Sequence, residues 1–402
     1  MATTTSSTPP TTRLASVDAL RGFALLAIVL LHNLEHYNLF GNPTWQPEWL
    51  TTFDGFVHQT IFFLLAGKAY ATFSLLFGFS FYIQMRNARE RGYDFRRRFA
   101  WRMLLLFGFS QLHALFYNGD ILLLYAVCGL ILIPASSWSN RTVAIVAAIL
   151  MFQPYAWGKI IYALANPEYF DNNSLFITYA RSAEEVGRNG NLLQTLANNI
   201  WNGQLYSNFW QVEAGRLFQT PSLFLLGMLA GRMKLFVRSL ASIRFWRNTL
   251  IVGGIMTVIS YLCVTIITPL ISNVTILSYY SIAAGMLYNF WFMVVLVSIF
   301  MLVWWRFGDG SRFQRSIIPY GRMSLTNYIC QSIIGVMIYY NCGCALYDHV
   351  GATLSVAIGF GIFLLQLYFS RIWLSTHKQG PLESIWKRLT WISSFPQPNP
   401  TL

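Results

Sequence analysis

The sequence predicts an all-α integral membrane protein, a polytopic bundle of about ten transmembrane helices. Two observations lead to this fold class. Apolar residues make up 55% of the 402-residue chain and charged residues only 11%, well below the roughly 25% of soluble domains. The apolar residues also fall into runs of about 20, the length that crosses a bilayer as a helix. So few charges cannot cover a soluble globule of this size, and a disordered chain has the opposite composition.

Taken in order along the chain, ten apolar runs are the candidate spans. A polar tail over 1–12 precedes them and lacks the basic start and cleavage site of a secretory signal, so the first run is expected to be retained. We predict one transmembrane domain over 13–390, an extracytoplasmic loop over about 164–215 and a C-terminal tail over 391–402. The candidate spans lie near 18–37, 60–85, 98–117, 120–136, 142–163, 216–233, 248–270, 278–304, 320–341 and 350–374.

Two places in this division depend on local signals. The third and fourth spans are separated by the turn signal Asn118-Gly119-Asp120. In the 164–215 segment, the apolar residues between Leu192 and Ile200 recur at helical spacing. That spacing fits either a helix lying on the membrane surface or an ordinary extracytoplasmic loop.

The basic residues predict the orientation of the bundle. If the N-terminus is cytoplasmic, 23 of the 28 Lys and Arg residues fall on the cytoplasmic side, whereas ten of the 15 acidic residues fall outside. The positive-inside rule then requires an even number of spans with both termini cytoplasmic. The basic clusters are interpreted as orientation anchors that contact anionic membrane lipids. Nucleic acid is excluded as a partner despite the net charge of +13.

Ionisable or amide side chains inside a span are costly and are therefore candidate functional groups. Asp18 and Arg21, three residues apart in the first span, form either a local ion pair or the wall of a polar cavity on the cytoplasmic side. Asn33, near the other end of that span, could donate to a developing oxyanion. Lys68 either extends to the outer surface or binds an anionic group inside the bundle.

Two histidine patterns suggest different chemistry. His113 and Asp120 lie seven residues apart, either two turns along one helix or at the mouths of two antiparallel helices if the chain folds back at Asn118. A histidine with a carboxylate partner is a workable general base, although a single buried histidine is more often a hydrogen-bonding residue. His32 and His36 have i,i+4 spacing but lack a third ligand, so no metal site is predicted.

Five blocks between Arg13 and Arg388 form a pattern along the chain. They are Arg13–Ile28, Gly67-Lys68 to Gly78, His113 to Tyr125 with Gly119-Asp120, Tyr320-Gly321-Arg322 to Gln331-Ser332, and Gly380-Pro381-Leu382-Glu383 to Arg388. In this order, the blocks resemble motifs of YeiB-type bacterial membrane proteins. The last block departs from the family pattern, because Ser384 stands where the family usually has Trp. The region over about 216–390 is similar to the domain of unknown function 418.

YeiB-type proteins are grouped with membrane acyltransferases such as heparan-glucosaminide N-acetyltransferase, and the resemblance to that enzyme is confined to the first span. It implies that Asn33 belongs to the transfer site, with His36 or His58 as the counterpart of the enzyme's histidine. On chemical grounds His113 is the preferred base. The resemblance also implies a location in the bacterial cytoplasmic (inner) membrane.

The resulting hypothesis is an acyltransferase that uses cytoplasmic acyl-CoA as donor and needs no metal. Arg21, Arg322 and Asp18 would form the donor site, and His113, Asp120, Asn33 and Lys68 would surround the reacting groups in one tunnel. The acceptor would be a hydroxyl or amine of a small molecule or glycan at the outer face. A small-solute transporter or permease is the alternative, and whether the chain forms a homodimer is left open.

Overall fold

The computed structural model describes residues 14–41, 43, 45–171, 174–307 and 311–392. Within these ranges the chain is helical and contains no β-strand, as the composition predicts. The tail over 1–12 and nearly all of the tail over 391–402 lie outside the described residues.

The described residues form eighteen α-helices, with short 3-10 turns at His36–Asn38, Thr268–Leu270 and Leu346–Asp348 and a π-helical turn at Asn199–Gly203. The helices are α1 (Ala15–Leu34), α2 (Glu48–Leu65), α3 (Lys68–Glu90), α4 (Arg96–Phe116), α5 (Leu122–Gly129), α6 (Leu132–Ala135), α7 (Asn140–Met151), α8 (Pro154–Ala165), α9 (Leu175–Asn189), α10 (Leu192–Asn198), α11 (Gln204–Glu213), α12 (Arg216–Arg232), α13 (Leu240–Ile267), α14 (Val274–Phe307), α15 (Arg312–Arg322), α16 (Ser324–Tyr339), α17 (Ala352–Thr376) and α18 (Pro381–Thr390).

Helices occur at all ten predicted spans, but their lengths differ. Six segments in the described chain are long and apolar enough to cross a membrane: Ala15–Leu34, Glu48–Glu90, Arg96–Phe116, Leu240–Leu270, Val274–Phe307 and Ala352–Thr376. A seventh is formed if α7 and α8, bent by 47°, are one span. The remaining three predicted spans are shorter, since α5 and α6 are separate pieces, α12 has 17 residues and α16 has 16. A multi-pass helical membrane protein is therefore confirmed, and the count of ten stays a prediction.

Small residues allow the central helices to approach closely. A Cβ atom at Gly78 of α3 would overlap the Phe224 carbonyl oxygen of α12, and one at Gly227 of α12 would overlap the Leu75 carbonyl oxygen of α3. Lipid tails are as apolar as leucine, so helix association in a membrane depends on this kind of close packing. Similarly, a Cβ atom at Gly321 of α15 would overlap the Asp18 carbonyl oxygen of α1.

The 164–215 segment contains α9, α10 and α11, and the helical spacing between Leu192 and Ile200 corresponds to α10 and the start of the π-helical turn that follows it. Glu213 satisfies the N-terminus of α9 by accepting hydrogen bonds from the backbone N–H groups of Leu175 (2.8 Å) and Phe176 (3.1 Å). Asn199 donates to the Leu115 carbonyl oxygen in the last turn of α4 at 3.1 Å. These contacts place the segment over the end of α4 that carries His113.

Candidate functional site

A cavity of about 720 Å³ enters the bundle from the end that carries most of the basic residues. We call this entrance the basic mouth. Its wall contains two carboxylates, Asp18 and Glu383, against seven cations: Arg21, Arg86, Arg91, Arg102, Lys234, Arg322 and Lys387. Both residues predicted to bind the donor phosphates, Arg21 and Arg322, thus lie in the wall of one cavity.

Both carboxylates of the basic mouth are engaged in holding the fold. Asp18 pairs with Arg21 at 2.8 Å, and the same guanidinium donates to Ser80 Oγ at 2.8 Å. Glu383 accepts hydrogen bonds from the backbone N–H groups of Leu325 (2.7 Å) and Thr326 (3.1 Å) at the start of α16. Asp18 and Arg21 therefore form an ion pair and also line a polar cavity, so both sequence-based alternatives apply. The mouth keeps an excess of positive charge.

The deep end of the cavity is lined by aromatic and aliphatic side chains, including Tyr70, Tyr125 and Tyr328. The Tyr125 hydroxyl hydrogen-bonds Ser74 Oγ at 2.6 Å, and the Tyr70 hydroxyl donates to Gln219 Oε1. Tyr328 also contacts His113, because the centres of their rings lie 5.1 Å apart. Tyr328 is thus a residue of the cavity wall that packs directly against the histidine.

His113 and Asp120 form a buried hydrogen-bonded pair where the chain folds back between α4 and α5. His113 Nδ1 lies 2.7 Å from Asp120 Oδ1. The second carboxylate oxygen accepts from Ser110 Oγ and from the Leu123 backbone N–H at 3.2 Å. Of the two predicted geometries, the antiparallel one is therefore observed. Two anchored oxygens leave the carboxylate no freedom to rotate away from the imidazole.

The other imidazole nitrogen, His113 Nε2, is free to react. His113 is only 1% exposed, and its Nε2 has no hydrogen-bond partner among the described residues. Because a carboxylate accepts hydrogen bonds, the ring proton belongs on Nδ1, and the Nε2 lone pair is available. A buried polar atom without a partner is costly, and such atoms concentrate where a ligand completes the site. This arrangement suits a general base.

Two side chains of α11 hydrogen-bond the backbone carbonyl group of Asp120. Ser207 Oγ and Gln211 Nε2 donate to the Asp120 carbonyl oxygen at 3.1 Å and 2.9 Å. The sequence patterns indicate no role for Ser207, Gln211 or Tyr328. Tyr328 belongs to the block from Tyr320 to Ser332, but nothing in the sequence indicates that α11, about ninety residues downstream, contacts Asp120.

Asn33 belongs to a separate buried polar cluster near the end of α1. Its amide donates to the Val29 carbonyl oxygen at 2.7 Å, and its Oδ1 accepts from the Tyr339 hydroxyl at 3.1 Å. His36 stacks on the Tyr339 ring with ring centres 4.8 Å apart and hydrogen-bonds Ser355 Oγ at 2.8 Å. His58 is exposed and stacks on a neighbouring phenylalanine of its own helix.

Lys68 is also apart from the His113–Asp120 pair. Its ammonium donates to the Phe63 carbonyl oxygen at 2.9 Å and lies 5.0 Å from the centre of the Tyr288 ring. None of Lys68, Asn33, His113 and Asp120 lies in the cavity wall. The expectation that these four side chains surround one tunnel stays a prediction. Each of the two side chains has partners close by: Lys68 contacts the Phe63 carbonyl oxygen and the Tyr288 ring, and Asn33 contacts the Val29 carbonyl oxygen and the Tyr339 hydroxyl.

Comparison with known proteins finds two family profiles and several relatives that the chain resembles. The profile described as "Heparan-alpha-glucosaminide N-acetyltransferase, catalytic" matches residues 13–185, so the expectation that the likeness to this enzyme is confined to the first span is wrong. The profile "Protein of unknown function (DUF418)" matches residues 230–393. The chain is 29% identical to "Uncharacterized protein YeiB" of Escherichia coli (strain K12), over 96% of this chain and 98% of the relative. It is 26% identical to "Uncharacterized protein YxaH" of Bacillus subtilis (strain 168), over 96% of each. The chain is thus similar to the YeiB-type proteins over nearly its whole length.

The two profile matches divide the candidate site between them. Asp18, Arg21, His113 and Asp120 lie in the N-terminal match, whereas the C-terminal match supplies Tyr328 and the α16 and α18 side of the mouth. Between the matches lie α10, α11 and most of α12. Within the described residues, no cluster of three or more His, Cys, Asp or Glu side chains is arranged to hold a metal ion.

Proposed function

We propose that this protein is a membrane acyltransferase that moves an acyl group from acyl-CoA to a hydroxyl or amine acceptor. One observation carries the proposal: a large cavity with a basic mouth ends at Tyr328, and the ring of Tyr328 packs on a buried histidine whose Nε2 is unpartnered. The match of residues 13–185 to an N-acetyltransferase catalytic profile supports the same chemistry.

The basic mouth supplies the groups that the donor requires. Coenzyme A carries phosphates, and guanidinium groups such as those of Arg21 and Arg322 bind phosphate through two parallel hydrogen bonds. The aromatic wall beyond the mouth accommodates the apolar part of an acyl-pantetheine chain. The thioester would then reach the end of the cavity at Tyr328.

Transfer would be direct. His113 Nε2 takes the proton from the acceptor hydroxyl or amine, whose oxygen or nitrogen attacks the thioester carbonyl carbon. The carbon–sulfur bond breaks, a carbon–oxygen or carbon–nitrogen bond forms, and the coenzyme A sulfur takes the proton back from His113. Asp120 stabilises the imidazolium that forms in between. Movement of the Tyr328 ring brings the thioester and His113 into contact, and this rearrangement is part of the proposal.

The proposal also places the protein in the membrane. The basic mouth faces the cytoplasm, where acyl-CoA is found, and the His113–Asp120 pair lies in the opposite half of the bundle. This orientation follows the positive-inside rule for a bacterial inner-membrane protein with ten spans and both termini cytoplasmic. The acceptor then approaches from the outer side, beside α11.

The test uses purified full-length protein in lipid nanodiscs with acetyl-CoA and palmitoyl-CoA. Calorimetry measures donor binding, and a thiol reagent measures release of coenzyme A. We expect Arg21→Gln and Arg322→Gln to weaken binding by about tenfold or more, the cost of a lost charge-assisted hydrogen bond. His113→Gln should bind the donor normally and release no thiol.

The matched control is Arg97→Gln, which removes an exposed charge from the same end of the molecule but outside the cavity wall. Equal effects of the Arg97 and Arg21 changes would show that only overall charge matters. If the protein transports a labelled solute and binds no acyl-CoA, the acyltransferase proposal is wrong and a transporter is favoured.

A further inference from the structure

Arg216 stands at the opposite end of α12 from the basic mouth. Helix α12 begins at Arg216 and runs for 17 residues to Arg232, close to Gly231 and Lys234 in the wall of the mouth. At about 1.5 Å per residue, roughly 25 Å separate the two ends of this helix. Arg216 is therefore a cation isolated from the group that we assign to the donor.

Two aromatic rings clamp the Arg216 guanidinium. Its central carbon lies 4.4 Å from the centre of the Tyr70 ring and 4.2 Å from that of the Trp210 ring. Stacking on aromatic faces holds the guanidinium plane and leaves its N–H edges available. The side chain is partly exposed, so a ligand can reach it.

Arg216 differs from Lys159 and Arg188 in having no carboxylate partner. Lys159 pairs with Asp171 at 2.8 Å, and Arg188 pairs with Glu184 at 3.0 Å and with Asp348 at 3.4 Å. Among the described residues, no carboxylate lies within 4.0 Å of the Arg216 guanidinium and no residue accepts a hydrogen bond from it. The two aromatic rings are therefore the contacts that orient this side chain.

The clamp adjoins the His113–Asp120 pair. Tyr70, one of its rings, lines the deep end of the cavity. Trp210, the other ring, precedes Gln211 in α11, and Gln211 donates to the Asp120 carbonyl oxygen. A group bound to Arg216 would therefore lie beside the proposed site of transfer, on the side away from the donor phosphates.

We propose that Arg216 binds an oxyanion, a phosphate or carboxylate, that belongs to the acyl acceptor. The acceptor is then an anionic compound with a free hydroxyl or amine, either soluble or the headgroup of a phospholipid. That the bound compound is an acyl acceptor rests on the proposed function, whereas the oxyanion site itself does not depend on acyl transfer. The guanidinium edge supplies the bidentate donors that phosphate and carboxylate both accept.

The experiment titrates glycerol 3-phosphate and glucuronate into the full chain in phosphatidylcholine nanodiscs without acyl-CoA, with glucose as the uncharged control. We expect Arg216→Gln to lose one binding site or to weaken it by about tenfold or more. Arg181→Gln removes an exposed arginine of α9 and should change nothing. Phosphate held at the basic mouth would persist in both variants, so their difference isolates Arg216.

A second arm distinguishes the sources of the oxyanion. Phosphatidylglycerol retained by detergent-purified protein is counted by mass spectrometry; its loss from Arg216→Gln alone assigns the site to a lipid headgroup. Arg216→Lys keeps the charge without the planar fork and should bind more weakly than the wild type, which tests the site if the glutamine variant does not fold. Binding and lipid retention that are the same in all variants, or absent from the wild type, overturn the proposal, whatever the result with acyl-CoA.

Discussion

The His113–Asp120 pair concentrates the proposed chemistry in two side chains whose geometry is set by their neighbours. Ser110 and the Leu123 backbone hold one carboxylate oxygen, and the other meets His113 Nδ1 at 2.7 Å. The carboxylate therefore selects the ring tautomer as well as the ring orientation. Its proposed role is separable from donor binding because the residues proposed to bind the donor lie at the basic mouth.

Replacing Asp120 by Asn should reveal that role. The amide keeps the shape of the carboxylate but removes its charge, so the imidazolium is no longer stabilised and the tautomer is no longer selected. We expect release of coenzyme A to slow by about 100-fold or more, with unchanged acyl-CoA affinity. Ser110→Ala, which keeps the carboxylate, is the control and should slow release less. Full activity in Asp120→Asn would remove the pair from the mechanism.

His36 gives a second prediction at this scale, about stability. Burial lowers the pKa of His36 from 6.5 to about 4, so the folded state binds this proton less readily than the unfolded chain. Its contribution to stability is complete above pH 6.5 and is lost as the pH falls towards 4, by up to about 3 kcal/mol. His36→Gln, which can keep the contact with Ser355, should flatten the pH dependence of thermal unfolding across this window. An identical pH profile in wild type and variant would contradict the assignment.

At the scale of elements, the contact between α3 and α12 connects the two ends of the cavity. On α3, Tyr70 lines the deep end of the cavity and Ser80 lines its mouth. Helix α12 runs beside α3 from Arg216 to Arg232. Glycines at the crossing bring the two backbones within contact distance. Any side chain there must push the helices apart.

Gly227→Ala should therefore destabilise the protein by about 1–3 kcal/mol, the usual cost of overpacking. The added Cβ atom meets the Leu75 carbonyl oxygen, a backbone atom that cannot rotate away. Gly254→Ala in α13 is the control, because no heavy atom lies within 4 Å of the added Cβ, and alanine favours helix more than glycine does. Thermal unfolding in nanodiscs measures both. Equal stability of the two variants would show that α3 and α12 can move apart at Gly227 without loss of stability.

At the scale of the whole molecule, the proposed function assigns donor binding and proton transfer to opposite ends of the bundle. The basic mouth gathers seven cations against two carboxylates that are already paired or hydrogen-bonded. The buried pair at the other end is covered by α11. A donor drawn from one side and an acceptor from the other can then meet inside the protein.

The excess of positive charge at the basic mouth predicts that the affinity for the donor depends on salt concentration. Raising NaCl from 0.05 to 0.5 M should weaken acyl-CoA binding by roughly threefold or more, because salt screens the partly exposed cations of the mouth. An acyl-pantetheine without phosphates is the control and should bind with little salt dependence. Calorimetric titrations at two or more salt concentrations provide the measurement. Equal salt dependence of the two ligands would show that phosphate is not bound at the mouth.

The sequence by itself determined the all-helical membrane architecture and the positions of helices at the ten apolar runs. Those features follow from composition and from periodicity along a few turns of chain. It also indicated that Asp18 meets Arg21 and that His113 approaches Asp120, since three- and seven-residue separations with a turn signal restrict the geometry.

Only the tertiary structure decided which polar groups share a site. Lys68 and Asn33 are satisfied locally, whereas Tyr328, Ser207 and Gln211 reach the His113–Asp120 pair from other helices. The aromatic clamp on Arg216 likewise joins α3, α11 and α12. Hydropathy shows where a helix lies but only weakly constrains its rotation and its neighbours. Those depend on close contacts such as Gly78 against Phe224, made between residues far apart in the chain.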